Sequence, residues 1–276
     1  MDKIIHILFH TGAFGTTIEY CIKRFSNKFT TNVVNPFDTN HSLHRYTKEK
    51  HLQFDYQIKN FNRKNVKITT PVYPLRTKQT DTPTVESSIN LFKNIVQTED
   101  KVIFVVFDNI KSLYINYLLK FNKVSLEDLT YNINLENAKM WNPNINAVTE
   151  LKREELRELL SIQFLDTVDN YLSAKELADK NWLIITPDNL INDFKSTIES
   201  IFDYLDLEKD DTEELNSFAS VWKQEQQEII DRFEIINSKN YDQTLSLAEE
   251  VIIHSILKQQ GIDIGTEPLL KVGSCF

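Results

Sequence analysis

The sequence predicts an α/β domain of three layers, with helices on both faces of a parallel sheet of about five strands, followed by further C-terminal helices. Three observations predict it. Apolar runs of strand length at Ile4 to Phe9, Val102 to Phe107 and Trp182 to Thr186 are separated by segments whose apolar residues recur at helical spacing. The middle run is apolar throughout, as suits a central parallel strand buried on both faces. The 276 residues, 41% hydrophobic and 11% aromatic, supply the apolar surface that such a core needs.

The elements follow in chain order. Ile4-Ile5-His6-Ile7-Leu8-Phe9 reads as the first strand, with His6 a structural residue in its middle. A glycine-bearing loop follows, then a helix over Thr16 to Phe25 with Ile18, Cys21, Ile22 and Phe25 on one face. Residues 33–65 are polar; Val33-Val34 reads as a short extended piece and Leu43 to Leu52 as a loop or short helix. Val66 to Tyr73 is extended again, closed by Pro71 and Pro74. Val85, Ile89, Phe92 and Val96 predict a helix over Thr84 to Val96.

After the Val102 to Phe107 strand, Asp108-Asn109 is placed to cap a helix over Ile110 to Phe121. The Asn-rich stretch 122–146 reads as a surface excursion, and Thr149 to Leu172 as one long amphipathic helix. Its segment Leu151 to Glu158 mixes opposite charges in the manner of a solvated ion-pair face. Pro187-Asp188 ends the last strand, and a single helix is expected through Leu190, Ile191, Phe194, Ile198, Ile201, Phe202 and Leu205. Two helices close the chain, Thr212 to Asn237 and Thr244 to Gln260, the second stopped by Gly261. With no internal repeat or linker, one domain over 1–276 is the simplest reading, its helical extension starting at about residue 208.

Composition narrows function. With 40 acidic and 31 basic side chains and a formal charge of -9, a general nucleic-acid binder is disfavoured. Cys21 and Cys275 are too few for a disulfide framework or a zinc site, which fits an intracellular, cytoplasmic chain. The apolar opening is too short for a signal peptide, and no window resembles a membrane span.

The opening loop, His10-Thr11-Gly12-Ala13-Phe14-Gly15-Thr16-Thr17, is the best lead to chemistry. Ligands of parallel α/β sheets bind beyond the strands' carboxyl ends, and a helix N-terminus there offers N–H groups and a positive dipole end to a phosphate or sulfate. Gly12 and Gly15 allow close backbone approach, and the Thr16 and Thr17 hydroxyls add donors; equally, the glycines make the turn and Thr16 caps the helix. His10 adjoins the loop, either to contact an anion or to pack beside the helix, and Glu19 sits where it favours the helix dipole. No Lys precedes Thr16-Thr17 as a Walker loop requires, and a third glycine for a dinucleotide loop is missing, which argues against a nucleotide-dependent kinase and against hydride transfer.

Gly15-Thr16-Thr17 after a strand resembles the 5′-phosphosulfate loop of the sulfotransferase family, which uses 3′-phosphoadenosine 5′-phosphosulfate (PAPS) as sulfuryl donor. Phe107-Asp108-Asn109-Ile110-Lys111-Ser112-Leu113-Tyr114 resembles that family's 3′-phosphate segment. Trp182 to Leu207 is similar to its late strand, acidic turn and helix, so the resemblance covers roughly residues 3–207. It implies a fold of the P-loop nucleotide-binding type, PAPS held by Thr11, Gly12, Ala13, Phe14, Gly15, Thr16, Thr17 and Ser112, and no metal. It further implies sulfuryl transfer to a hydroxyl or amine of a small-molecule, lipid or glycan acceptor. For the base it points to Asp38, His41 and His44, although three such residues in a polar loop also fit plain exposure. Arg76 and Lys78 are candidate cations or surface charges, and His41, His44 and His51 lack a metal-ligand spacing.

The chain departs from the family at three positions. Ala13-Phe14 stands where Lys or Arg precedes the loop glycine, Phe107 where an Arg grips the 3′-phosphate, and Ile115 where a Ser assists, leaving Ser112 as the nearest hydroxyl. Two missing cations should cost several kcal/mol of donor binding. The alternative function is therefore a catalytically inactive P-loop-like domain that binds a phosphorylated ligand or a protein partner. The apolar face of the Thr212 to Asn237 helix is explained by core packing and also admits a homodimer contact.

Overall fold

The computed structural model describes residues 3–10, 13–26, 68–73, 84–109, 112–113, 167–209 and 212–237, with scattered positions between 135 and 155. It is an α/β structure built on a parallel sheet. The strands are β1 (Ile5–His10), β2 (Ile68–Thr69), β3 (Val72–Tyr73), β4 (Lys101–Val105) and β5 (Leu183–Ile185). The helices are α1 (Gly15–Phe25), α2 (Val85–Lys93), α3 (Val168–Leu172), α4 (Pro187–Asn192), α5 (Phe194–Leu205) and α6 (Thr212–Asn237), with a 3₁₀ turn at Ala174–Leu177.

Every pairing between the described strands is parallel, in the order β2-β1-β4-β5, and β3 continues the β2 edge along β1 beyond Thr70-Pro71. The predicted Val66 to Tyr73 strand is thus present but interrupted. Pro71 has no N–H to give, and its carbonyl instead accepts the Phe9 N–H at 3.1 Å. The sheet is four strands wide among the described residues; the fifth expected strand, Val33-Val34, lies outside them, as do the helices expected at 244–260 and over most of 110–121.

All six residues of β1 are buried, so both of its faces are covered, and β4 is buried from Val102 to Val105. At the amino end of these strands a polar network is sealed in the core. His6 Nδ1 lies 2.6 Å from Thr69 Oγ1, and His6 Nε2 lies 3.2 Å from Asp100 Oδ2. Asp100 also accepts the N–H groups of Ile4, at 3.1 Å, and Gln97, at 2.8 Å. His6 is structural, as expected, but as the centre of a hydrogen-bonded network.

Two helices differ from expectation. The Leu190 to Leu205 helix is two, because Asp193, at φ -129° and ψ 46°, leaves helical geometry between α4 and α5. Of the helix expected over Thr149 to Leu172, Val168–Leu172 is helical (α3) and Thr167 just before it is not, while most of the remainder lies outside the described residues. By contrast, the helix expected over Thr84 to Val96 is present as α2, ending at Lys93, and Thr84 is its N-cap, the Ser87 N–H reaching Thr84 Oγ1 at 3.0 Å.

The chain divides into two compact units, residues 1–112 with 169–227, and residues 113–168 with 228–276. The first holds the whole sheet. In the second, the described residues include a turn in which the Ile145 N–H donates to Asn142 O at 3.1 Å, with Ala138 and Ile145 buried.

Candidate functional site at the carboxyl edge of the sheet

The strand order fixes where a ligand crevice belongs. From β1 the chain moves to one side, to β2 and β3; from β4 it moves to the other, to β5. The two connections diverge between the carboxyl ends of β1 and β4, the switch point at which ligands of open α/β sheets bind. The loop 10–17 and the segment 106–112 flank that point.

The loop closes tightly, with the Ala13 N–H donating to His10 O at 2.8 Å. Phe14 occupies the N-cap of α1 in the left-handed region, at φ 60° and ψ 12°, without a side-chain cap. Its carbonyl accepts the first helical bond, from the Ile18 N–H at 3.0 Å. The N–H groups of Gly15, Thr16 and Thr17 therefore precede any helical acceptor, and no described residue accepts from them. Thr17 is buried and Thr16 half-buried. Gly15 has a packing reason to be glycine: a Cβ there would run into the Phe9 ring, which lies against the start of α1.

Beside the loop, His10 is enclosed by aromatic rings. It is 2% exposed, and its ring meets those of Tyr171 at 4.8 Å, Phe107 at 5.5 Å and Tyr73 at 6.0 Å, all edge-on. Phe107, where the resemblance places a phosphate-gripping Arg, is fully buried in this cluster. The Tyr73 hydroxyl donates to Val105 O at 2.8 Å, and burial first, then the neighbouring Tyr171, pushes its pKa well above 10. Tyr73 is accordingly a neutral donor and no general base.

At the ends of β4 and β5 the groups are polar and acidic. Asn109 Oδ1 accepts the Ser112 N–H at 2.8 Å, while its Nδ2 donates to Asp108 at 2.7 Å and Asp188 at 3.0 Å. Ser112 is fully buried, and its Oγ has no partner among the described residues. Thr186 and Asn189 form a reciprocal capping box at the start of α4, with Pro187 next in line. Among described residues 13–17, 106–109 and 186–189 there is no Lys or Arg.

Of the residues singled out in the sequence, the structure brings Ala13, Phe14, Gly15, Thr16 and Thr17 to one strand end and Ser112 to the neighbouring one. Glu19 is in the second turn of α1, buried and 2.6 Å from Lys23 Nζ, so it pairs along the helix. Thr11, Gly12, Asp38, His41, His44, His51, Arg76, Lys78 and Ile115 lie outside the described residues. Two features carried no local signal: the aromatic enclosure of His10, which draws on Tyr171 from far along the chain, and an edge contact between Phe14 and Trp222 of α6 at 5.1 Å. No protein-family model, curated protein or solved structure matches the chain.

Proposed function

We propose that the chain is a P-loop-like α/β/α domain that holds the phosphate or sulfate group of a ligand on the N-terminus of α1. The observation that carries this reading is the set of consecutive N–H groups at Gly15, Thr16 and Thr17, offered at the switch point of a parallel sheet with no acceptor among the described residues. Binding without transfer is the form that the described strand ends favour. Sulfuryl transfer needs cations on the equatorial oxygens and a base for the acceptor. Here Phe107 is buried against His10, Ala13-Phe14 precedes the glycine, and the charged side chains among described residues 13–17, 106–109 and 186–189 are Asp108 and Asp188.

Sulfuryl transfer from PAPS is the second reading, favoured by the half-buried Thr16 hydroxyl beside those N–H groups. In it, the acceptor oxygen attacks sulfur in line, the sulfur–oxygen bond to the 5′-phosphate breaks, and the acceptor proton passes to a base, leaving adenosine 3′,5′-bisphosphate.

Thermal unfolding with pyrophosphate, adenosine 3′,5′-bisphosphate and ATP tests both. A ligand at 100 times its Kd adds about 2.7 kcal/mol, a rise in Tm of roughly 5–10 °C for a chain of this size. A shift with all three supports a general anion site; a shift with the bisphosphate alone moves the reading to PAPS. T16D places a carboxylate at the helix start, where the dipole welcomes it, and should abolish the shifts while leaving unliganded Tm unchanged or slightly raised. Shifts that survive T16D would place the ligand elsewhere.

A further inference from the structure

Phe14 is one of two non-glycine residues with positive φ among the described residues, the other being Asp206. An aromatic residue held there is strained, and the strain persists only where surrounding contacts over-determine it. The contact is visible. The Phe14 ring meets Trp222 edge-on, at 5.1 Å and 77°. Trp222 is itself fixed: it is buried, its indole N–H donates to Leu190 O at 2.8 Å, and its ring lies 5.0 Å from that of Phe194. Leu190 belongs to α4 and Phe194 to α5, so two helices hold Trp222 and Trp222 holds Phe14.

The backbone consequence falls on the first turn of α1. If Phe14 relaxed to the right-handed region, the peptide plane joining it to Gly15 would rotate. The Phe14 carbonyl would leave the Ile18 N–H, now at 3.0 Å, and the Gly15 N–H would turn with it.

We propose that Trp222 is a positioning residue for the α1 N-terminus: by holding Phe14 in the left-handed conformation it aims the N–H groups of Gly15, Thr16 and Thr17. Anion binding there and the seating of Trp222 between α4 and α5 then favour each other, since coupling between two such events is reciprocal. This rests on the anion-binding reading above.

The test measures affinity for pyrophosphate and adenosine 3′,5′-bisphosphate by calorimetry in the full chain, with folding checked by circular dichroism. W222A should weaken both about fivefold, the size of one aromatic pair, and W222F should restore affinity to within about twofold of wild type. The decisive background is F14G, because glycine adopts the left-handed conformation without a clamp. In F14G, adding W222A should change affinity less than about twofold. Equal losses in the wild-type and F14G backgrounds would make Trp222 a general core residue and overturn the proposal. Should W222A not fold, W222L carries the same comparison. If wild type binds neither probe, the anion reading fails and this proposal falls with it; if wild type and W222A bind alike, the anion reading stands and only the clamp is refuted.

Discussion

Replacing Gly15 by alanine separates two reasons for a glycine at the start of α1. If the residue is there to let an anion approach, a methyl group affects binding and little else. The structure gives another reason: the new Cβ would overlap the Phe9 ring, itself 1% exposed and hemmed in by core. Overpacking of this kind costs about 1–3 kcal/mol. Against it stands alanine's better helix propensity, worth at most about 1 kcal/mol and less in a first turn. The net expectation is a loss of about 1–2 kcal/mol. Urea unfolding followed by circular dichroism should show a lower midpoint with an unchanged slope. F9L opens space at the ring, so G15A added to F9L should cost less than about 0.5 kcal/mol, the departure from additivity expected of residues in contact. G15A as stable as wild type, or equal costs in both backgrounds, would refute the packing account and return the glycine to the ligand.

Other perturbations read other parts of the structure. D100N should destabilise by about 3 kcal/mol in the same assay, because the amide nitrogen that replaces Oδ2 faces the Gln97 N–H and the His6 ring rather than accepting from them. Stability should fall as pH rises above 10: the unfolded chain then releases the Tyr73 proton, while the buried phenol, its pKa raised, keeps it, so the unfolded state binds fewer protons. Urea midpoints at pH 9, 10 and 11 check this, and Y73F should flatten part of the decline. In a C275S variant the remaining thiol, Cys21, should resist a thiol reagent until unfolding, since it is fully buried and burial pushes its pKa upward. Fast labelling of the native protein would mean that α1 opens locally.

The sheet was legible where strands are apolar throughout. The Val102 to Phe107 run, apolar throughout, read as a strand buried on both faces, as β4 is, and Ile4 to Phe9 read as the strand that β1 is, whereas the Thr84 and Thr186 caps are seen only in the hydrogen bonds of the structure. The break at Asp193 was hidden because the apolar pattern runs through it. It is set instead by hydrogen bonds: Thr197 Oγ1 donates to Asn189 O at 3.0 Å and to Asp193 O at 2.8 Å, pinning one helix end against the next start. At the site, the sequence located the loop and marked Phe107 only as a missing cation. Its positive role, as a wall of the His10 enclosure, depends on Tyr73 and Tyr171 arriving from separate elements, which no local string encodes. The left-handed Phe14 was equally silent, since its partner stands on α6.

The strand order has a consequence for biosynthesis. β1 is made early, yet it sits inside the sheet, and its partner β4 begins at Lys101, in register with Ile5. Translation at ~5–20 residues per second leaves roughly 5–20 s between the two. Throughout that interval the run Ile4 to Phe9 has no β4 to pair with and presents a strand edge of the kind that recruits other chains. Its pairings are also distant in sequence, which slows folding once synthesis ends. Yield from rapid overexpression should therefore be limited by the nascent chain rather than by the finished fold, and slower translation or a holdase that covers residues 4–9 should raise it.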